Sequence, residues 1–139
     1  MRGAPVALII IGFAFALLTA TATAQEDPNP KAAAVKNPVA ATPASIAKGR
    51  QAYNKACRHC HGLRALGDGP LAPKNPSPSN LTDDTWDHGS SDGEIFFIIS
   101  NGAGKDSQMK GVRSTMTATD MWNIVNYLRS IGPDSADAR

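Results

Sequence analysis

Several things are scarce in this 139-residue chain, and each scarcity closes a door. It has only two cysteines, Cys57 and Cys60, and three histidines. A structural zinc site needs four ligands, and no second paired-ligand motif accompanies Cys57, His59, Cys60 and His61; His88 stands alone. Charge of one sign is also missing: 14 Lys+Arg face 12 Asp+Glu, a net of +2. That balance excludes the polycationic surface by which proteins hold nucleic acid, and leaves any docking to local patches. The length suits one modest domain and not two. No internal repeat and no convincing pair of strands is present.

A long hydrophobic run occurs once, near the N-terminus. Arg2 precedes "VALIIIGFAFALL" at 6–18, which gives way to small residues ending in Ala22-Thr23-Ala24. This is the pattern of a secretory signal peptide, residues 1–24, cleaved before Gln25. The run is short for a membrane span, which needs about 20 apolar residues; an uncleaved anchor is the alternative. Residues 25–41, rich in Ala, Pro and Lys without a helical apolar stripe, read as a disordered linker. The domain is expected over 42–133, with 134–139 as a C-terminal tail.

Thr42-Pro43 opens a helix, Thr as N-cap and Pro at the first helical position. Ile46, Gly49, Tyr53 and Ala56 share one face of it, and Lys48, Gln51 and Lys55 the other. Ser91 to Glu94 forms a capping box before the apolar "IFFII" of 95–99, and Asn101-Gly102 stops it, which predicts a short buried helix rather than a strand. Thr117 to Asp120 caps a last helix with Met121, Ile124, Val125, Leu128 and Ile131 as its stripe. Asn123, Asn126 and Arg129 are expected to face out, and Gly132-Pro133 to end it. Between these lie irregular stretches at 62–89 and 103–116. Loops of that length are uncommon in a compact domain unless they wrap something. Three short helices and two long loops cannot bury a sufficient core, so a disulfide, a metal or a large cofactor must supplement it. The fold class is all-α.

"CRHCH" at 57–61 supplies the candidate. C-x-x-C followed at once by His is the attachment pattern of c-type haem. Two thiols two residues apart, Cys57 and Cys60, bridge the vinyl groups on one edge of the ring, and His61 on the same turn presents an imidazole to the iron. Its other ring nitrogen should donate to a backbone carbonyl; Pro70, in the "GDGP" loop, is the candidate acceptor. A thioredoxin-type pair would follow a strand and begin a helix, whereas this one ends a helix. A bare disulfide leaves His61 and the wrapping loop without a role.

The sixth iron position can be filled by methionine, which raises the reduction potential. Of four methionines, Met1 leaves with the signal and Met121 belongs to an apolar stripe. Met109, in the polar loop "KDSQMKG", has no packing reason of its own and is the preferred ligand; Met116, just before the last helix cap, is the fallback. Trp86 is expected in the cofactor's wall, or donating its indole N–H to a propionate.

From about Ile46 to Ile131 the chain resembles the monohaem class I c-type cytochromes. The matching residues are "AKGRQAYNKACRHCHG", "GDGP" at 67–70, "DGEIFFIISNG" and "MKGVRSTMTATDMWNIVNYLRSIG". The resemblance implies a cytochrome c-like helical domain wrapped around one covalent haem c. It implies a loop methionine ahead of the final helix, the place of Met109, although Lys110 stands where that family very often has proline. It also implies first and last helices crossing at Gly49, with Tyr53 and Tyr127 packing nearby.

The function expected is periplasmic one-electron transfer between redox protein partners, with no catalytic residues, no nucleic acid, and membrane contact only through an uncleaved signal or a membrane-bound partner. Ile95, Phe96, Ile98, Ile99, Val112 and Leu128 would wall the haem, and Arg58, Lys74, Lys110 or Arg113 would steer an acidic partner. A haem enzyme or gas-binding protein with a labile sixth ligand, and a dedicated cytochrome subunit of a dehydrogenase or oxidase, are the alternatives.

Overall fold

A computed structural model describes residues 29–133. The predicted signal peptide, the first residues of the linker and the tail at 134–139 lie outside the described residues. Five helices follow in order: α1 (Pro30–Ala33), α2 (Pro43–Ala56), α3 (Arg58–His61), α4 (Asp92–Asn101) and α5 (Ala118–Ile131). Among the described residues there is no strand, only an isolated antiparallel bridge between Gly102 and Lys110. No described helix is long and apolar enough to cross a membrane.

The three long helices begin as their sequences predict. Thr42, Ser91 and Thr117 are N-caps in extended conformation, and each exchanges hydrogen bonds with the residue three along, Ser45, Glu94 and Asp120. Each reciprocal pair satisfies donors that a helix start otherwise leaves orphaned. The Asp92 carboxylate, in the first turn of α4, also receives Arg129 Nε from α5 at 2.8 Å.

The most extensive helix contact is α2 against α5. Gly49 makes it possible. A Cβ on Gly49 would lie 1.9 Å from the Asn123 carbonyl oxygen and 2.9 Å from Tyr127 Cβ, so only glycine permits this backbone approach. Tyr53 is wholly buried beside the crossing, its ring 5.3 Å from that of Tyr127, and its hydroxyl donates to the Gly62 carbonyl at 2.8 Å.

That burial, with the nearby Cys57, Tyr127 and Asp68, pushes the Tyr53 hydroxyl well above its ordinary pKa of 10. A raised folded-state pKa contributes stability that is intact below pH ~10 and is lost above it, as the unfolded tyrosine ionises first. Tyr53→Phe is therefore expected to cost about 0.5–1.5 kcal/mol at neutral pH, the net worth of one hydrogen bond, because the Gly62 carbonyl keeps the Ala65 N–H at 3.3 Å. It should also flatten the fall in stability above pH ~10. Denaturant unfolding at pH 7 and in the alkaline range measures both, and an unchanged alkaline slope would contradict the assignment.

Two expectations fail here. Residues 29–41 are not a free linker. Asn29 caps α1, whose Ala32 is buried, and the Ala32 and Val35 carbonyls back onto Gly93 of α4. Further on, Asn37 Nδ2 donates to Asn126 Oδ1 at 2.8 Å and to the Trp122 carbonyl at 3.3 Å. Correspondingly Asn123 and Asn126 do not face out; they are 2% and 5% exposed. Asn126 Nδ2 donates to the Val39 and Ala40 carbonyls and to Ser45 Oγ. The strap thus replaces water as the partner of a buried amide, which is why that amide tolerates burial. Arg129 is exposed, as expected.

Candidate cofactor site

Cys57 closes α2 and caps α3, so "CRHCH" forms one tight turn at the end of the first long helix. The following loop folds back along it. Gly67, Gly69 and Leu71 N–H groups donate in turn to the carbonyls of His61, Cys60 and His59, at 2.9, 3.0 and 2.8 Å. Gly69 lies so close that a Cβ would sit 2.3 Å from the His59 oxygen. This ladder fixes the turn by backbone bonds alone and leaves its side chains free to point elsewhere.

Those of Cys57, Cys60 and His61 face a cavity, while Arg58 and His59 are exposed. Cys57, Cys60, His61 and Met109 line one recess of about 440 Å³, together with Pro73, Pro78, Ile99 and Val112. Cys57, His61 and Met109 also border its inner, strongly apolar part, walled by Tyr53, Leu81, Ile95, Ile98, Ile99, Ile124 and Leu128. Both cysteines are free thiols. Burial, then the neighbouring Cys60, pushes the Cys57 thiol up to about 12, so it is protonated at neutral pH. His61 is 8% exposed, and its Nδ1 pairs with the Ser79 carbonyl at 3.3 Å. Burial lowers its pKa, and the bond to Ser79 opposes that shift. The neutral ring with its proton on Nδ1 leaves Nε2 as the ring nitrogen able to bind a metal.

Met109 is held by its own loop. Gly102 and Lys110 pair at the base, Ala103 N–H donates to the Met109 carbonyl at 3.2 Å, and Met109 N–H donates to Ser107 Oγ at 3.1 Å. Lys110, which stands in the place of a proline, adds a bond from Nζ to the Ser107 carbonyl at 2.6 Å. Met116 is absent from the cavity wall and packs against the helical core.

Other residues fall less neatly. Ser79, not Pro70, accepts from His61, because the loop carries residue 79 back beneath the ring; Pro70 does not line the cavity. Trp86 does line the inner wall. Phe96, expected in the wall, instead stacks on Trp122 with centroids 4.0 Å apart. Tyr53, Leu81, Ser79 and Asp87 line the wall as well, beyond the residues to which the sequence points. Tyr53, one turn before Cys57 on the α2 face that carries Gly49, was the one with a signal in the sequence.

A haem fits these groups. Two free thiols sit on one turn, a buried imidazole has its outer nitrogen already satisfied, a thioether stands in the same recess, and the walls between are apolar. No pair of regular elements would otherwise close over so large an apolar gap.

The sequence profile of the family described as "Cytochrome C oxidase, cbb3-type, subunit III" matches residues 44–128. No curated protein sequence matches the chain. Among solved structures, cytochrome cL from the marine methylotroph Methylophaga aminisulfidivorans is 26% identical, with a TM-score of 0.54 over 68% of this chain and 60% of that one. Cytochrome cL from Hyphomicrobium denitrificans is 23% identical, with a TM-score of 0.53 over 63% and 48%. A chain of a reducing HAO-like protein complex from Kuenenia stuttgartiensis is 21% identical, with a TM-score of 0.61 over 70% and 49%. This chain thus spans 60% or less of the length of these three.

Proposed function

Because the chain belongs to the cytochrome c family whose profile is described as cbb3-type oxidase subunit III, and so carries haem c, we propose that it is a periplasmic one-electron carrier in which His61 and Met109 would hold the haem iron. Cys57 and Cys60 would fasten the haem through thioether bonds. The observation that carries this reading is the convergence of all four side chains on one recess from two segments far apart in the chain: the 57–61 turn and the 103–111 loop.

The haem, when bound, supplies reversible transfer of one electron between ferric and ferrous iron. The protein's part is positional and electrostatic. The Ser79 carbonyl holds the His61 ring in one orientation, which strengthens it as a ligand. The bridge and the Ser107 bonds hold Met109 in place. The walls of Ile95, Ile98, Ile99, Ile124 and Leu128 exclude water, which keeps the site rigid and dry on either side of the transfer. Outside, Leu63 and Leu71 are 65% and 69% exposed on the loop that folds along α3. Arg58, Arg64 and Lys74 are exposed on the same stretch. An apolar centre with cations around it suits brief docking of an acidic redox protein. A dedicated subunit of a larger oxidase or dehydrogenase is the second reading, favoured by the description of the family itself.

Met109→Ala is expected to remove the methionine-ligated ferric spectrum and lower the midpoint potential by on the order of 0.1 V, within the ~0.8 V that axial ligation spans. Met116→Ala should leave both as they were and cost stability only. Optical and EPR spectra of the two variants check this; the reverse pattern would move the ligand to Met116. An unaltered low-spin spectrum in Met109→Ala would instead give the sixth position to another group on the wall, such as His88.

A further inference from the structure

Ser79 lies in the irregular stretch between α3 and α4, and its carbonyl and hydroxyl have different partners. The carbonyl accepts from His61 Nδ1 at 3.3 Å. The side-chain Oγ donates to Asp87 Oδ2 at 2.6 Å, a short bond of the charge-assisted kind. Ser79, Asp87 and His61 all border the same cavity. We propose that Asp87 is a positioning residue for His61, acting through Ser79: the carboxylate anchors the serine, and the anchored serine holds its carbonyl on the imidazole. This rests on the reading of His61 as an iron ligand.

The need for an anchor follows from the geometry. On either side the chain is held by short-range contacts: Gly67 backs onto the Pro78 carbonyl, Leu81 N–H donates to the Ala65 carbonyl at 2.8 Å, Ser77 Oγ donates to the Lys74 carbonyl, and Asn80 Oδ1 accepts from Thr82. None of these contacts involves an atom of Ser79 itself. A hydrogen bond at 3.3 Å is already long, and it weakens steeply with small changes of angle. A side-chain tether across to residue 87 removes that freedom. It also ties residue 79, which carries the imidazole's acceptor, to the segment that brings Trp86 and His88 to the cavity wall. An imidazole whose Nδ1–H is firmly held is the more basic ligand and favours the ferric state. Slackening the carbonyl therefore favours the ferrous state.

The test uses haem-loaded wild type, Ser79→Ala, Asp87→Ala, Asp87→Asn and the Ser79→Ala/Asp87→Ala double variant. The readouts are the midpoint potential at fixed pH and ionic strength and the His61 ring N–H resonance of the ferrous protein. Ser79→Ala keeps the carbonyl and the Asp87 charge but cuts the tether. Each alanine variant is expected to shift the equilibrium constant for reduction about three- to tenfold toward the ferrous form, the scale of one weakened hydrogen bond. Each should move the ring N–H resonance the same way. The double variant should go no further than either single one, and Asp87→Asn, which retains an acceptor, should recover most of the shift. The proposal is overturned if Ser79→Ala keeps the wild-type potential while both Asp87 variants shift alike, since Asp87 would then act as a distant charge. It is equally overturned if all variants lose stability with potentials unmoved. A purified wild type whose mass lacks a haem would strike down the reading of the site itself, so the two failures are told apart.

Discussion

A chain carrying Cys57→Ala and Cys60→Ala loses its cooperative unfolding transition. Without thioethers nothing fastens the cofactor to the chain, and without the cofactor the recess of about 440 Å³ has no filling. At ~24 cal/mol per Å³, a void of that size would cost up to about 10 kcal/mol. Water entering from the open side reduces that figure, but small domains hold only about 5–15 kcal/mol in all. The side chains that face the recess are also much of the core: Tyr53, Ile95, Ile99, Ile124 and Leu128 belong both to the buried cluster and to the inner wall. Circular dichroism of the double variant should show reduced helicity and a broad melt. A sharp melt near that of wild type would mean the helices pack without the haem.

Gly49→Ala comes second in expected effect, and its sign is the informative part. At an ordinary exposed helix position this change stabilises by about 1 kcal/mol. Here the new methyl would meet the Asn123 carbonyl at 1.9 Å and Tyr127 Cβ at 2.9 Å. Backbone cannot swing aside as a side chain can, so α2 and α5 must part. We expect a loss at or above the upper end of the ~1–3 kcal/mol that overpacking costs. At ~4–8 °C per kcal/mol for a domain of this size, that lowers Tm by 12 °C or more. Haem attachment at Cys57, two turns away, should survive in the variant at low temperature. Thermal unfolding of the holoprotein measures the effect, and a Tm at or above that of wild type would contradict the crossing.

What could be read from the sequence is what short-range chemistry encodes. Thr42, Ser91 and Thr117 announced their helices because a cap and its partner lie three residues apart. The recess was announced by "CRHCH", where the chemistry demands a fixed local spacing, and Gly49 by a glycine on an apolar face. The misses are long-range. Nothing near Asn126 says that Asn37, Val39 and Ala40 will come round to satisfy its amide, so it read as a solvent-facing polar residue and the strap as disordered. Residues 29–41 bury little apolar surface; side-chain amides and backbone carbonyls hold them, and these leave no periodic trace. The nearest loop offers Pro70 as the acceptor for His61, whereas the chain travels on to Ser79 before it returns. Phe96 turned from the wall because Trp122, across on α5, offers it a stacking face.

The covalent capture of a haem on Cys57 and Cys60 underlies the cavity, the helix packing and the redox role together. Intact mass spectrometry of the protein purified from cells able to mature such proteins tests it directly. The account predicts a chain beginning at Gln25 that is heavier by one haem, with the increment retained under denaturing conditions. A mass equal to the bare polypeptide would contradict it.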